Sequence, residues 1–255
     1  MTNLDSSSVG TLETPDTEAP LHDGPEPAAP PAEFSHVAPS LWATVALSRK
    51  ERIAIVGGDI VVRHPFVMAA EKYARWLLEG PKRTRTTGML VTGPVGAGKT
   101  TLAKLIWRRY VHQRGPDEAP IVMISMTGAR HMRTVYGRIL EALSGPLNAS
   151  QSSADREMAV TRLLRRVRCR ALIIDEVQDV LAGSHSEQRR TLDAIKYVMN
   201  ELGLPVLAFG TAAAETAFRS DVHLDARFKR FALPQWTADV ALESKPPLWT
   251  PRGLV

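Results

Sequence analysis

Gly93-Pro94-Val95-Gly96-Ala97-Gly98-Lys99-Thr100 is a full match to the phosphate-binding loop G-x-x-x-x-G-K-[ST]. The apolar run Gly88-Met89-Leu90-Val91 before it reads as a strand, and Thr101 to Arg114 reads as a helix with Leu102, Leu105 and Ile106 on one side. In that setting the glycines let backbone N–H groups converge on one point, and the helix N-terminus adds partial positive charge there. The expectation is an ATP site formed by Gly93 to Thr101. Lys99 lies against the β- and γ-phosphates, and the Thr100 hydroxyl serves Mg²⁺. A glycine-rich turn that merely caps a strand is the bland alternative.

About 75 residues later, Ala171-Leu-Ile-Ile-Asp175-Glu176 is a buried-type strand ending in two carboxylates. Parallel strands put their carboxyl ends at one edge of a sheet, so this pair belongs beside the phosphate loop. Asp175 is the expected metal-holding carboxylate, and Glu176 the base for an attacking water. A third apolar run, Leu204 to Thr211, ends in a hydroxyl. Thr211 could face the γ-phosphate or its water, or could simply cap the helix expected from Ala212 to Phe218.

Strand-like runs at Gly88–Thr92, Ile121–Ser125, Leu172–Asp175, Pro205–Phe209 and Arg230–Leu233 alternate with helix-like segments. Met132, Val135, Ile139 and Leu143 keep helical spacing, as do Leu192, Ile195, Met199 and Leu202. The fold class expected is α/β, a P-loop core with a five-stranded, mostly parallel sheet between helices. Further upstream, Ser48 to Ile55 reads as a short helix ended by Gly57-Gly58. Pro65 opens a second helix with Phe66, Ala69, Tyr73 and Leu77 as its apolar stripe, and Gly80-Pro81 closes it.

Composition divides the chain. Residues 1–40 hold seven acidic residues, seven prolines and no Lys or Arg, and read as a disordered acidic tail. The remainder carries 32 basic against 20 acidic residues, a balance of +12 that suits a polyanion such as DNA. The organisation expected is that tail, a helical linker over 41–87, an ATP-binding domain over 88–236, and an irregular tail over 237–255. With one cysteine, Cys169, no apolar span and no basic-then-apolar leader, the chain is expected in the cytoplasm without a membrane partner. Scattered histidines and the lone cysteine offer no metal chemistry beyond Mg²⁺.

From about Glu51 to Trp236 the sequence resembles TniB, an AAA+ transposition regulator related to the Mu B and TnsC proteins. The likeness rests on Arg63-His64-Pro65, Pro81-Lys82-Arg83, Leu181-Ala-Gly-Ser184-His-Ser-Glu187-Gln-Arg189 and Ala194-Ile-Lys-Tyr197. It closes on Ala226-Arg227-Phe228 with Phe231-Ala-Leu-Pro-Gln-Trp236. The Gly-Ser-His-x-Glu-Gln-Arg and Arg-Phe…Leu-Pro-x-Trp segments are far more particular than a phosphate loop.

The resemblance implies an ATPase that assembles head-to-tail on double-stranded target DNA and recruits a DDE transposase, with hydrolysis driving disassembly. Its implied partners are that DNA, the transposase, a small accessory targeting protein and other copies of itself. It assigns Arg227 to a neighbour's γ-phosphate, with Arg230 and Arg219 as rivals and surface pairing to Asp225 or Asp221 as the alternative. It places DNA-backbone contacts in the loop Met126 to Arg133, first at Arg130 and Arg133, then at Thr127. Relatives of the AAA+ class suggest Val61 to His64 for the adenine. They also carry a helical lid, and the nineteen residues after Trp236, with Pro246, Pro247 and Pro251, are poor material for one. A missing lid is therefore expected. Within the same fold a helicase loader or replication-initiator-like ATPase shares every nucleotide motif. A nucleotide-binding scaffold without turnover is the other alternative.

Overall fold

A computed structural model describes residues 42–56, 60–62, 64–81, 85–111, 115, 118–128, 132–148, 150–235 and 249–251. The acidic tail 1–40, Gly57-Gly58, Arg130, Trp236 and most of 237–255 lie outside the described residues. Two compact units divide the chain, Met1–Asp59 and Ile60–Val255. In the first, α1 (Trp42–Val45) is followed by α2 (Arg49–Val56). Helix α2 begins one residue later than expected because Ser48 is its cap: Ser48 Oγ accepts from Glu51 N, and Glu51 Oε2 accepts from Ser48 N.

The second unit runs β1 (Ile60–Val62), α3 (Pro65–Glu79), β2 (Gly88–Thr92), α4 (Lys99–Val111), β3 (Ile121–Ser125) and α5 (Met132–Ala142). It continues through α6 (Ser153–Arg166), β4 (Ala171–Asp175), a 3₁₀ helix (Val177–Ala182), α7 (His185–Leu202) and β5 (Val206–Gly210). Then come α8 (Ala212–Arg219), α9 (Val222–Asp225), β6 (Phe228–Ala232) and β7 (Trp249–Pro251). Five strands form one parallel sheet in the order β3-β4-β5-β2-β6.

Each central strand is apolar on both faces, so successive residues bury into different layers. Leu90, Leu172, Ile174, Val206 and Ala208 point to one layer with residues of α5 to α8. Met89, Val91, Ile173, Leu207 and Phe209 point to the other, with residues of α3 and α4. Truncating one of these side chains, for example Ile174→Ala, costs about 2–5 kcal/mol.

Two segments differ from expectation in kind. The stretch 41–87, expected to be a helical linker, also contains strand β1. Within 237–255, expected to be irregular, β7 pairs antiparallel with β1, Ile60 opposite Pro251 and Val62 opposite Trp249. Strand β6 begins two residues before the run Arg230–Leu233 that sequence suggested. Phe228 is buried edge-on against Phe218, while Lys229 and Arg230 are exposed on an edge strand and break the apolar pattern.

The apolar stripe expected on α3 is also displaced. Val67, Ala70, Ala74 and Leu78 are buried, whereas Phe66 is 50% exposed and Tyr73 and Leu77 are only half-buried. The buried face runs through Glu71, whose charge is met by Arg109 of α4 at 2.7 Å. A buried glutamate thus disguised the core face as polar, and the exposed Phe66 advertised the wrong one.

Candidate nucleotide-binding site

The phosphate loop joins β2 to α4 as expected. Gly96 and Gly98 have φ of +83° and +90°, backbone that L side chains rarely adopt, and these turns bring the loop over the start of α4. Val95 stands 90% exposed at its tip. Lys99 is only 7% exposed, and its ammonium donates to the carbonyls of Gly93 at 2.9 Å and Pro94 at 2.7 Å. A cation is therefore buried inside the loop and held by the loop's own oxygens. Thr100 and Thr101 follow in the first turn of α4.

Strand β4 delivers the acidic pair to the same edge. Asp175 is buried, and it hydrogen-bonds the Thr100 side chain. Burial pushes its carboxyl above the usual carboxylate range, against the Thr100 and Glu176 N–H hydrogen bonds that hold it down. Its Oδ1 accepts from Glu176 N at 3.0 Å. A hydroxyl and a carboxylate brought to one sheet edge are hard oxygen donors, so these residues fit Mg²⁺.

Glu176 breaks from the strand with φ 54° and ψ 40°, a left-handed conformation that costs a non-glycine residue on the order of 1 kcal/mol. Its carboxylate accepts from Gln178 Nε2. Gln178 Oε1 in turn accepts from the backbone N–H of Thr211 at 3.1 Å. Thr211 stands at the N-cap position of α8, and its side chain makes no capping hydrogen bond. Capping therefore does not account for this hydroxyl. Strand β5, which Thr211 follows, lies between β2 and β4, so all three strand ends meet at one edge.

The loop after β3 is tied to this edge. Met126 N donates to Asp175 O at 2.8 Å, and Gly128 N donates to Asp179 Oδ2 at 3.0 Å. Thr127 is exposed, its hydroxyl 2.8 Å from Ser125 Oγ and its carbonyl taking a hydrogen bond from Arg138. Arg133 is on α5, and its side chain, like Arg130 as a whole, lies outside the described residues. His64 caps α3, its Nδ1 accepting from Phe66 N at 3.4 Å while its ring stacks on Phe66. Val61 is on β1, its side chain outside the described residues.

Arg227 lies at the opposite edge. Its carbonyl accepts from Gly88 N, at the amino end of β2, so one strand length of roughly 15 Å separates it from the phosphate loop. Neither expected aspartate pairs with it. Arg230 takes Asp225, and Lys196 takes Asp221 at 2.6 Å. Arg227 donates instead to Asn200 Oδ1 at 2.6 Å, and its buried Nε has no hydrogen-bond partner among the described residues. The rivals are committed within the chain, Arg219 and Arg230 both pairing with Glu215. Five arginines on and after α6 (Arg162, Arg165, Arg166, Arg168 and Arg170) form a basic cluster that is partly committed as well: Arg165 to Glu201, Arg168 to Glu118 and Arg170 to Leu78 O.

Gln178 and Asp179 were missed by sequence reasoning. The available signal was Gln two residues after Glu176, a spacing that gains meaning only once β5 is known to lie alongside. The segment Gly-Ser-His-x-Glu-Gln-Arg proves to be a helix start. Ser184 and Glu187 form a reciprocal capping box on α7, and Gln188 Nε2 donates to Gly183 O at 2.9 Å.

Solved structures with this fold include the ORC2 protein of Aeropyrum pernix in ADPNP–ADP complexes, with a TM-score of 0.55 at 17% identity. That alignment covers 74% of this chain and 54% of the other. ORC1 of Aeropyrum pernix, solved in complex with DNA, aligns with a TM-score of 0.58 at 15% identity over 75% and 51% of the two chains. Cdc6p from Pyrobaculum aerophilum gives 0.53 at 15%, again over 75% and 51%. The chain spans about half the length of these proteins, and they establish its P-loop AAA+ fold. No curated protein matches the sequence. None of the described helices is long and apolar enough to cross a membrane. The model of the bacterial TniB protein family matches residues 52–238, and the chain belongs to that family.

Proposed function

We propose that this protein is an ATP-hydrolysing, DNA-binding regulator of transposition that assembles on target DNA and recruits a DDE transposase. The observation that carries the reading is the convergence of Lys99, Thr100, Asp175 and Glu176 at one sheet edge, with Thr211 ending the strand between β2 and β4. The amides of Gly93 to Thr101 cradle the phosphates, and Lys99 exchanges the Gly93 and Pro94 carbonyls for phosphate oxygens. Val61 and His64 are proposed for the adenine.

Thr100 and Asp175 would hold Mg²⁺, which when bound neutralises charge on the phosphates. Glu176 accepts a proton from water as the water oxygen attacks the γ-phosphorus and the bond to the ADP oxygen breaks. Thr211 orients that water or the γ-phosphate. Arg227, a strand length from its own loop, acts on the nucleotide of another copy in a head-to-tail assembly. Arg130, Arg133 and Thr127 contact the DNA backbone, joined to the hydrolytic edge through Asp179 and Gly128. The resemblance to transposition regulators supports a transposase and an accessory targeting protein as partners, and the proposed location is the cytoplasm.

Phosphate release measured with and without duplex DNA, beside a Glu176→Gln variant, tests the reading. DNA-stimulated release that disappears in the variant is expected. Release absent from the wild-type protein would leave only a nucleotide-binding scaffold.

A further inference from the structure

The structure assigns Gln178 a positioning role that we infer to be the setting of the Glu176 carboxylate against the end of β5. The ladders explain why such a link matters. Strand β3 pairs with β4 as far as Asp175, and β2 pairs with β5 as far as Gly210. Between β4 and β5 pairing stops at Ile174 opposite Ala208, so the two strand ends that carry Glu176 and Thr211 part where the site begins.

Gln178 spans that divergence, with Nε2 on the Glu176 carboxylate and Oε1 on Thr211 N. Chemistry fixes the orientation of its amide. A backbone N–H can only donate, so oxygen must face Thr211, which turns the NH₂ group to the carboxyl oxygen of Glu176. Space is equally restrictive. A Cβ placed on Gly210 would come within 2.7 Å of Gln178 Oε1 and 3.0 Å of Val177 Cγ1 and Ala214 Cβ. Gly210 thus lets β5 close onto the amide. Whatever shifts the end of β5 also shifts the carboxylate of Glu176.

The inference rests on the hydrolytic reading above. Gln178→Met keeps the length of the side chain and removes both hydrogen bonds, and should lower kcat by roughly 10- to 100-fold, within the range of positioned acid–base catalysis, while ATP Kd stays within about threefold. Gln178→Glu keeps an acceptor for Thr211 but faces Glu176 with a second carboxyl. It should lower kcat at least as far as Gln178→Met, because a second carboxylate repels the one it faces. In a Glu176→Gln background, Gln178→Met should have no further effect, since both act through one group.

A Gln178→Met protein with wild-type kcat, or an effect that adds fully to Glu176→Gln, would overturn the inference while leaving the hydrolytic reading intact. Loss of ATP binding in Gln178→Met would make the residue structural and overturn it too. A wild-type protein that binds ATP without turnover removes both readings together.

Discussion

The carboxyl and amino edges of the sheet satisfy their polar groups differently. At the carboxyl edge Lys99 rests on loop carbonyls, Asp175 on Thr100, Glu176 on Gln178 and Gln178 on Thr211. These contacts are local to the site, and a phosphate chain with its metal would replace several of them directly. At the amino edge several charges are matched by opposite charges, as in Arg168–Glu118 and Lys196–Asp221. Arg227 differs from them, a guanidinium on an amide with one buried N–H unmet among the described residues. Burial of an unmatched donor costs about 1–3 kcal/mol, so this arginine is kept at some expense to stability. The amino edge thus holds a cation that cannot reach its own loop.

Arg227→Ala breaks this comparison most directly. DNA-stimulated turnover should fall by about 10³, the low end for an arginine finger, while ATP binding is unchanged. Mixing that variant with Glu176→Gln should restore part of the turnover, because some interfaces then join an intact Glu176 to an intact Arg227. Wild-type turnover in Arg227→Ala would return the residue to a packing role.

Asp175 sharpens the picture of the carboxyl edge. Its carboxyl lies above the usual range through burial, so it holds its proton to higher pH than an exposed aspartate. Mg²⁺ requires the ionised form. The Mg²⁺-dependent part of ATP affinity should therefore fade on acidification sooner than for an exposed carboxylate. Without nucleotide the sign reverses: the contribution of this group to stability is present below its unfolded pKa and is lost as pH rises through the folded one. Thermal scans of the nucleotide-free protein should show that decline, and Asp175→Asn should remove it.

At the amino edge Asp221 does purely structural work. It caps α9 through His223 N and Leu224 N and pairs with Lys196, which fixes the turn leading to Arg227. Asp221→Ala should cost about 2–3 kcal/mol in denaturant unfolding, the loss of a cap and of a half-buried charge partner. The smallest effect is expected in the loop after β3. Arg133→Ala should weaken duplex binding evenly across sequences and lower the salt slope by about 1.

What could be read from sequence follows how local each feature is. The phosphate loop and Asp175-Glu176 are contiguous, and each needs only its own strand to be placed. Thr211 was identifiable as a hydroxyl ending a strand, but setting aside a capping bond needed its observed hydrogen bonds. Gln178 was invisible because its role depends on β5 lying beside β4, a pairing between residues far apart in the chain. The stripe on α3 went wrong for a different reason, since the Glu71–Arg109 pair buries charge where periodicity demands an apolar side chain. The β1–β7 pairing joins the two ends of the second unit, and the prolines around Trp249 gave no strand signal.

Calorimetric titration of ATP, with and without Mg²⁺, into the wild-type protein and into Lys99→Ala tests the central claim. Saturable binding that Mg²⁺ strengthens and Lys99→Ala abolishes is the predicted result. A folded wild-type protein that takes up no ATP, or a Lys99→Ala variant that binds it equally well, would contradict the account.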